Sequence, residues 1–259
     1  MRNRFLLARA GFSPAYILTT LVVLAGLTIG SASVFAQRQV SKRFATGKKV
    51  RLVLKNISGK VTVESWGRDE IKISATLESS STTVLPKQYG EGVIVDVLSD
   101  NRGRSDVGNV NFKIQVPVNS IVDITTIMGD ISIANIRSDM VRAYVSSEGD
   151  IELTSINAKE VYAQNTSGNI FFDGEVMRGG KYQFQLGQGD ISIRIPASST
   201  FDLDASAPDR KLALGQFWNS SFRTVGEGRK YSKTIGDVND GRAKVTIMNF
   251  HGGITFIRR

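Results

Sequence analysis

The sequence predicts an all-β chain, a single-chain parallel β-solenoid with rungs of about 20 residues, and three observations carry that expectation. A short phrase returns four times: Gly129-Asp130-Ile131-Ser132-Ile133, Gly149-Asp150-Ile151-Glu152-Leu153, Gly168-Asn169-Ile170-Phe171-Phe172 and Gly189-Asp190-Ile191-Ser192-Ile193. Its glycines are separated by 20, 19 and 21 residues, the spacing of a repeat whose units bury their apolar faces only against their neighbours. Elsewhere apolar side chains recur with a period of two between Gly, Asn and Asp clusters, as in Val50, Leu52 and Leu54, which is the pattern of strands and turns. Beyond residue 36 no long window has a helical period.

The chain opens with Arg2, Arg4 and Arg9, then an apolar run from Ala15 to Ile29, then small residues ending in Val34-Phe35-Ala36. A basic leader, an apolar segment and a small-x-small site form the secretory signal pattern. It predicts a signal peptide over residues 1–36, helical and cleaved after Ala36, and an exported protein of the periplasm, the outer surface or the medium. The alternative is an inner-membrane anchor, because Ile17 to Phe35 is long enough to span a bilayer. Residues 37–49 are polar and basic without periodicity and read as a flexible lead-in to a domain over 50–259.

The net charge is +9, with 33 basic and 24 acidic residues. Loss of the leader removes three arginines, and the remaining acids are interspersed among the bases. Such a balance bears on solubility and non-specific attraction and predicts no nucleic-acid partner. It leaves membrane contact to an uncleaved N-terminal segment. There is no cysteine, which excludes disulfides, thiolate zinc sites and cysteine nucleophiles. His251 is the sole histidine, so a multi-histidine metal site cannot be built and any Ser-His-Asp triad would have to pass through it. No cofactor and no metal ion are predicted.

Strands are expected around Val50–Leu54, Lys60–Glu64 and Ile71–Ala75, with turns at Asn56–Gly59 and Trp66–Asp69. Gly59-Lys60-Val61-Thr62-Val63 reads as a diverged copy of the repeated phrase. A strand pair over 93–116, standing off one edge of the stack, accounts for the gap between Gly59 and Gly129. Residues 99–109 form a hydrophilic excursion between its two strands. From Val122 three inward columns are expected: Ile131, Ile151, Ile170 and Ile191; Ile133, Leu153, Phe172 and Ile193; and Ile124, Tyr144, Ala163 and Phe184. Phe171 then occupies an outward place. Pro196 ends the regular stretch, and Phe201–Leu203 is one more short strand. An insertion over 205–241 follows, and the final rung returns to register at Gly253.

A glycine at one place in every rung marks a corner that needs positive φ or close backbone approach, and the Asp or Asn beside it can cap local amides. Gly59, Gly129, Asp130, Gly149, Asp150, Gly168, Asn169, Gly189, Asp190 and Gly253 are the predicted turn residues. These phrases, Asn56–Val63 and Thr126–Ile133 above all, resemble the bacterial adhesin-like domain family, exported β-solenoids of unknown function, over about Val50 to Ile257. The resemblance implies surface attachment or envelope structure and implies no catalytic residue. It does not extend to the insertion at 205–241.

The Asp130, Asp150, Asn169 and Asp190 column invites calcium, but the extra glycines of calcium-binding nonapeptide repeats are missing; turn capping is the expectation. Asp150 and Glu152 with Asp130 and Asp190 raise the alternative of a carbohydrate-active β-helix enzyme, which needs two carboxylates across a bound sugar. A non-enzymatic envelope module is the reading adopted, with a membrane-anchored envelope scaffold as a further alternative. Its candidate interaction surface is Phe217, Trp218, Arg223, Arg229, Lys230, Tyr231 and Lys233, where aromatics would stack on a cell-surface glycan or meet an envelope protein. The competing role of that insertion is a cap on the stack end.

Overall fold

Alternating β-branched and polar residues build twenty strands and one 3-10 turn, Gly215–Phe217, among the residues that the computed structural model describes, 38–99, 108–226 and 228–259. The N-terminal strands are β1 (Arg38–Ala45), β2 (Arg51–Lys55), β3 (Val61–Trp66), β4 (Glu70–Leu77), β5 (Thr82–Tyr89), β6 (Gly92–Ser99) and β7 (Val110–Pro117). The repeat gives β8 (Ile121–Met128), β9 (Ile131–Ala134), β10 (Arg137–Glu148), β11 (Ile151–Ser167), β12 (Ile170–Gly174), β13 (Lys181–Gln188) and β14 (Ile191–Ile195). The C-terminal strands are β15 (Phe201–Pro208), β16 (Leu212–Ala213), β17 (Arg223–Val225), β18 (Tyr231–Val238), β19 (Ala243–His251) and β20 (Ile254–Arg258). The predicted signal peptide lies outside the described residues, among which no helix is long and apolar enough to cross a membrane.

The strands form two ladders. One runs β1–β4–β7–β3–β9–β11–β12–β14–β20–β16. The second runs β5–β6–β2–β8–β10–β11–β13–β19–β15–β18–β17. β11 belongs to both, through Ile151–Leu153 in the first and Glu160–Ser167 in the second. Pairing is parallel from β7 to β16 and from β6 to β15, whereas β1, β4, β5, β17 and β18 pair antiparallel at the ends. The class is therefore all-β, with parallel rungs closed off by antiparallel strands that the repeat period did not announce.

Register decides the core. Ile131, Ile151, Ile170, Ile191 and Ile254 are partners along the first ladder, as are Ile133, Leu153, Phe172, Ile193 and Phe256. All are buried in one hydrophobic core to which both ladders contribute, and each such side chain is worth about 1.5–3 kcal/mol of burial. The third column departs from expectation at one place. Ala143, not Tyr144, pairs with Ile124 and Ala163 and points inward. The cause is a bulge in β10, where Ser146 and Ser147 together oppose Thr166; the extra residue shifts every count made backward from Gly149 by one.

The chain ends depart further. Residues 38–45, expected to be flexible, form β1 along β4, with Val40 and Phe44 against the core. Backbone pairing holds this strand, so its side chains show little alternation. β6 and β7 do not stand off the stack: they continue it beyond β2 and β3 in parallel register. The insertion over 205–241 is also partly ladder, since β15 runs on to Pro208 and β18 pairs along its whole length. β19 and β20 then return between earlier strands, β19 between β13 and β15 and β20 between β14 and β16. At the N-terminal end, Arg38 and Lys42 donate to the Thr82 and Pro86 carbonyls of edge strand β5. With Pro86 itself, these bonds blunt that edge against further pairing.

Gly59, Gly129, Gly149, Gly168, Gly189 and Gly252 all have positive φ, between 107° and 151°. A β-carbon at Gly168 would collide with the Gly149 carbonyl, and one at Gly189 with the Gly168 carbonyl. The last member is Gly252 rather than Gly253: Ile191 pairs with Ile254, which puts Gly253 in the position of Asp190. Gly168→Ala adds backbone strain to that collision and is expected to cost about 2 kcal/mol or more. Gly47, with nothing within 4 Å of an added β-carbon, should accept alanine with a change under about 0.5 kcal/mol; urea midpoints of the two variants check the contrast.

Tyr182 is the largest of the fully buried side chains. Its hydroxyl donates to the Ala158 carbonyl (2.8 Å) and accepts from the Met177 amide (2.7 Å). Burial pushes the phenol up to about 12 from 10.0, against the opposing Met177 amide and with a smaller contribution from Glu175. A raised folded-state pKa means that the contribution is complete below pH 10.0 and is lost as pH rises toward 12. Denaturation midpoints should fall across that window in the parent chain and fall less in Tyr182→Phe.

Candidate functional site

The outward columns of the second ladder gather the most distinctive exposed chemistry. Arg142, Tyr162, Gln183 and Thr246 are successive partners on β10, β11, β13 and β19, and beside them stand Tyr144, Gln164, Gln185 and Met248. With Met140 and Glu160 they line an open trough of about 710 Å³. Alternation places them there: Ala143, Ala163, Phe184 and Ile247 are buried in the core, so their neighbours in sequence must face out. The bulge in β10 keeps Tyr144 on this face.

Charges in the trough are already engaged. Arg142 Nε donates to Oδ1 of buried Asp123 at 2.8 Å, and the Tyr162 hydroxyl donates to Glu160 Oε2 at 2.9 Å. Burial, and then the Glu160 carboxylate, raise the Tyr162 phenol above its ordinary value. Lys181 lies over the Tyr162 ring, 5.6 Å from its centre. Tyr162 is thus held at both its hydroxyl and its ring. Among the described residues, Gln164, Gln183, Gln185 and the Tyr144 hydroxyl have no side-chain hydrogen-bond partner.

The same face continues onto the cap. Asp204, Ile235 and Arg223 are successive partners on β15, β18 and β17, and so are Ser206, Lys233 and Val225. Their register with β19 aligns them with the two trough columns. The predicted insertion surface therefore divides. Arg223, Tyr231 and Lys233 lie on this extended face, where Lys233 pairs with Asp204 at 2.8 Å. Lys230 sits over the Tyr231 ring, and Arg229 is exposed. Trp218 is 58% exposed and stacks on Phe222, beside a smaller cavity of about 190 Å³ lined also by Asp209, Thr224 and Thr234. Phe217 does not belong to any surface. It is 6% exposed and packs with Phe201 and Phe256, plugging the end of the core.

The acidic column is a ladder of its own. Oδ1 of Asp130 accepts from the Asp150 amide (3.0 Å), that of Asp150 from the Asn169 amide (2.7 Å), that of Asn169 from the Asp190 amide (3.1 Å), and that of Asp190 from the Gly253 amide (2.7 Å). Each cap therefore reaches the next rung rather than its own corner. Inside the same corner a second, buried polar column does complementary work. Asn165 Nδ2 donates to the Gly149 carbonyl, Asn249 Nδ2 to those of Gly189 and Gly253, and Asn56 Nδ2 to those of Ser58 and Val110. Among the described residues no group of three or more His, Cys, Asp or Glu is placed to hold a metal ion. His251 is exposed, its Nδ1 3.1 Å from the Gly187 carbonyl. Outward Phe171 lies under the Arg194 guanidinium, which is anchored on buried Asp173 at 2.7 Å; that bond raises the Arg194 pKa further.

The trough residues were not singled out by sequence reasoning. Their sequence signal is the outward column of Tyr144, Gln164 and Gln185 on successive rungs, which the bulge in β10 hides by making the spacing from Gly149 place Tyr144 inward.

These features define a β-rich domain that carries an uninterrupted side-chain face on stacked strands. The chain belongs to the Toastrack DUF4097 family, whose model matches residues 96–256. Among solved structures it is similar to a candidate cell adhesion protein from Clostridium sporogenes, with 14% identity, a TM-score of 0.47 and coverage of 86% of this chain and 100% of that one. It is also similar to a candidate adhesin from Bacteroides fragilis, with 7% identity, a TM-score of 0.36 and coverage of 86% and 99%. No curated protein matches the chain.

Because Asp150 serves a backbone amide, Asp150→Ala should lower stability by about 1 kcal/mol. Neither calcium nor a chelator should shift the thermal midpoint of the parent chain; a calcium-dependent rise would reassign the column to metal binding.

Proposed function

We propose that this chain is an exported, non-enzymatic adhesin-like module of the bacterial cell envelope, a parallel β-solenoid that presents a binding face to a cell-surface glycan or an envelope protein. The observation that carries this reading is the outward face of the second ladder, where Tyr144, Gln164, Gln183, Gln185 and Met248 line one trough and Arg223, Tyr231 and Lys233 extend it onto the cap. An exposed face with aromatic and amide side chains on a rigid scaffold suits recognition. The N-terminal signal pattern supports export, with the mature chain starting at Gln37. Asp130, Asp150 and Asp190 are committed to backbone amides, which argues for corner stabilisation and against a glycosidase pair.

Protein recovered from an exporting bacterial host should have the mass of a chain that begins at Gln37 and should bind whole bacteria or an immobilised envelope fraction. The combined variant Tyr144→Ala, Gln185→Ala and Met248→Ala, all in the trough, should lose most of that binding at an unchanged thermal midpoint. Equal binding by parent and variant, or none by the parent, overturns the reading.

A further inference from the structure

We infer that the trough between Tyr144 and Thr246 is a subsite for an uncharged oligosaccharide, an inference that rests on the adhesive reading above and names its ligand. The first argument is electrostatic. Arg142 and Glu160 are the two charged side chains in the lining. Arg142 is paired with Asp123 and Glu160 accepts the Tyr162 hydroxyl. Lys181 and Lys244 continue the row from Glu160 just outside the lining, but within it an anionic ligand would meet the Glu160 carboxylate and a cationic one Arg142. An uncharged ligand pays neither cost.

The second argument is hydrogen bonding. Three amides converge here, Gln164 and Gln185 on adjacent rungs of one column and Gln183 in the next. Each offers two donors and an acceptor, and all three are unengaged within the described residues. Adjacent strands lie about 4.8 Å apart, so donors and acceptors alternate over the short spacing at which a sugar chain carries its hydroxyls. Each hydroxyl is itself donor and acceptor, and paired amides match that double character better than charged groups do.

The third argument concerns the apolar part. Among the described residues no aromatic ring or cation stacks on Tyr144, whereas Tyr162 is fixed by Glu160 and covered by Lys181. Tyr144 therefore supplies the platform for the apolar face of a sugar ring, with the Met248 side chain at the far side of the trough, and Tyr162 serves as wall. A peptide would not dock here as an added strand, because β10, β11, β13 and β19 have their backbone groups engaged on both sides and strand addition needs an edge. The volume of about 710 Å³ falls within the range of small-ligand sites, about 300–1,000 Å³.

The test uses the purified exported chain, titrated with neutral glucose, galactose and N-acetylglucosamine oligomers and, in parallel, with uronic-acid and sulfated oligomers. The expected result is binding to at least one neutral oligomer, insensitive to salt. Tyr144→Ala should weaken it about tenfold, Tyr144→Phe should stay within about twofold of the parent, and Trp218→Ala should leave it unchanged. Binding confined to the anionic oligomers, or neutral binding indifferent to Tyr144→Ala, overturns the ligand assignment. Bacteria still bound by a protein that takes none of the oligomers would do the same while leaving the adhesive reading standing. Loss of every interaction, with bacteria as well as sugars, would sink both.

Discussion

Everything in this molecule depends on how closely its backbone can approach itself at one corner. Neighbouring strands lie about 4.8 Å apart, and at Gly129, Gly149, Gly168, Gly189 and Gly252 the chain turns with positive φ directly over the glycine of an adjacent rung. A side chain at any of these points would force the rungs apart and break the register that stacks isoleucine on isoleucine beneath. The two polar columns follow from the same constraint. A tight turn leaves amides and carbonyls that the ladders do not satisfy. The outer Asp130–Asp190 column accepts from those amides, and buried Asn56, Asn165 and Asn249 donate to those carbonyls.

That division explains why the fold was largely legible and where it was not. The glycine period and the isoleucine columns are local and repeated, so the sequence displays them directly. Register departs from the sequence spacing at single residues: the bulge in β10 turns Tyr144 outward, and the last corner falls at Gly252 in place of Gly253. The terminal strands were missed for a deeper reason. β1 has little alternation because a neighbouring backbone holds it. β18 buries Ser232 and Thr234 while exposing Tyr231 and Ile235, so its pattern reads inverted. Antiparallel closing strands also obey no repeat period.

The face was less legible than the fold. Its residues are ordinary surface types, and their meaning lies in being neighbours across rungs about twenty positions apart. In the insertion Phe217 and Trp218 are adjacent in sequence, yet burial separates them: Phe217 completes the core while Trp218 stays outside. What joins Arg223 and Lys233 to the trough is pairing of β15 with β19 and with β18, which no sequence spacing reveals. A glutamine pair such as Gln164 and Gln185 acquires significance only after Tyr144 is placed beside it.

The returning strands give the chain an unusual order of assembly. In an ordinary repeat array each unit docks on the one made before it, and growth can proceed step by step. Here β15 reaches the rest of its ladder through β19, and β16 through β20. These later-made strands must enter between segments about sixty and about forty residues earlier, as the pairing of Lys181 with Lys244 and Phe201 with Ala243 requires. A nascent chain therefore holds an unfinished stack whose far end stays open. Closure waits for β19 and β20, and such long-range pairing is slow. Under the exported reading proposed above, a structure that locks only when β19 and β20 arrive has an order of assembly suited to threading before folding.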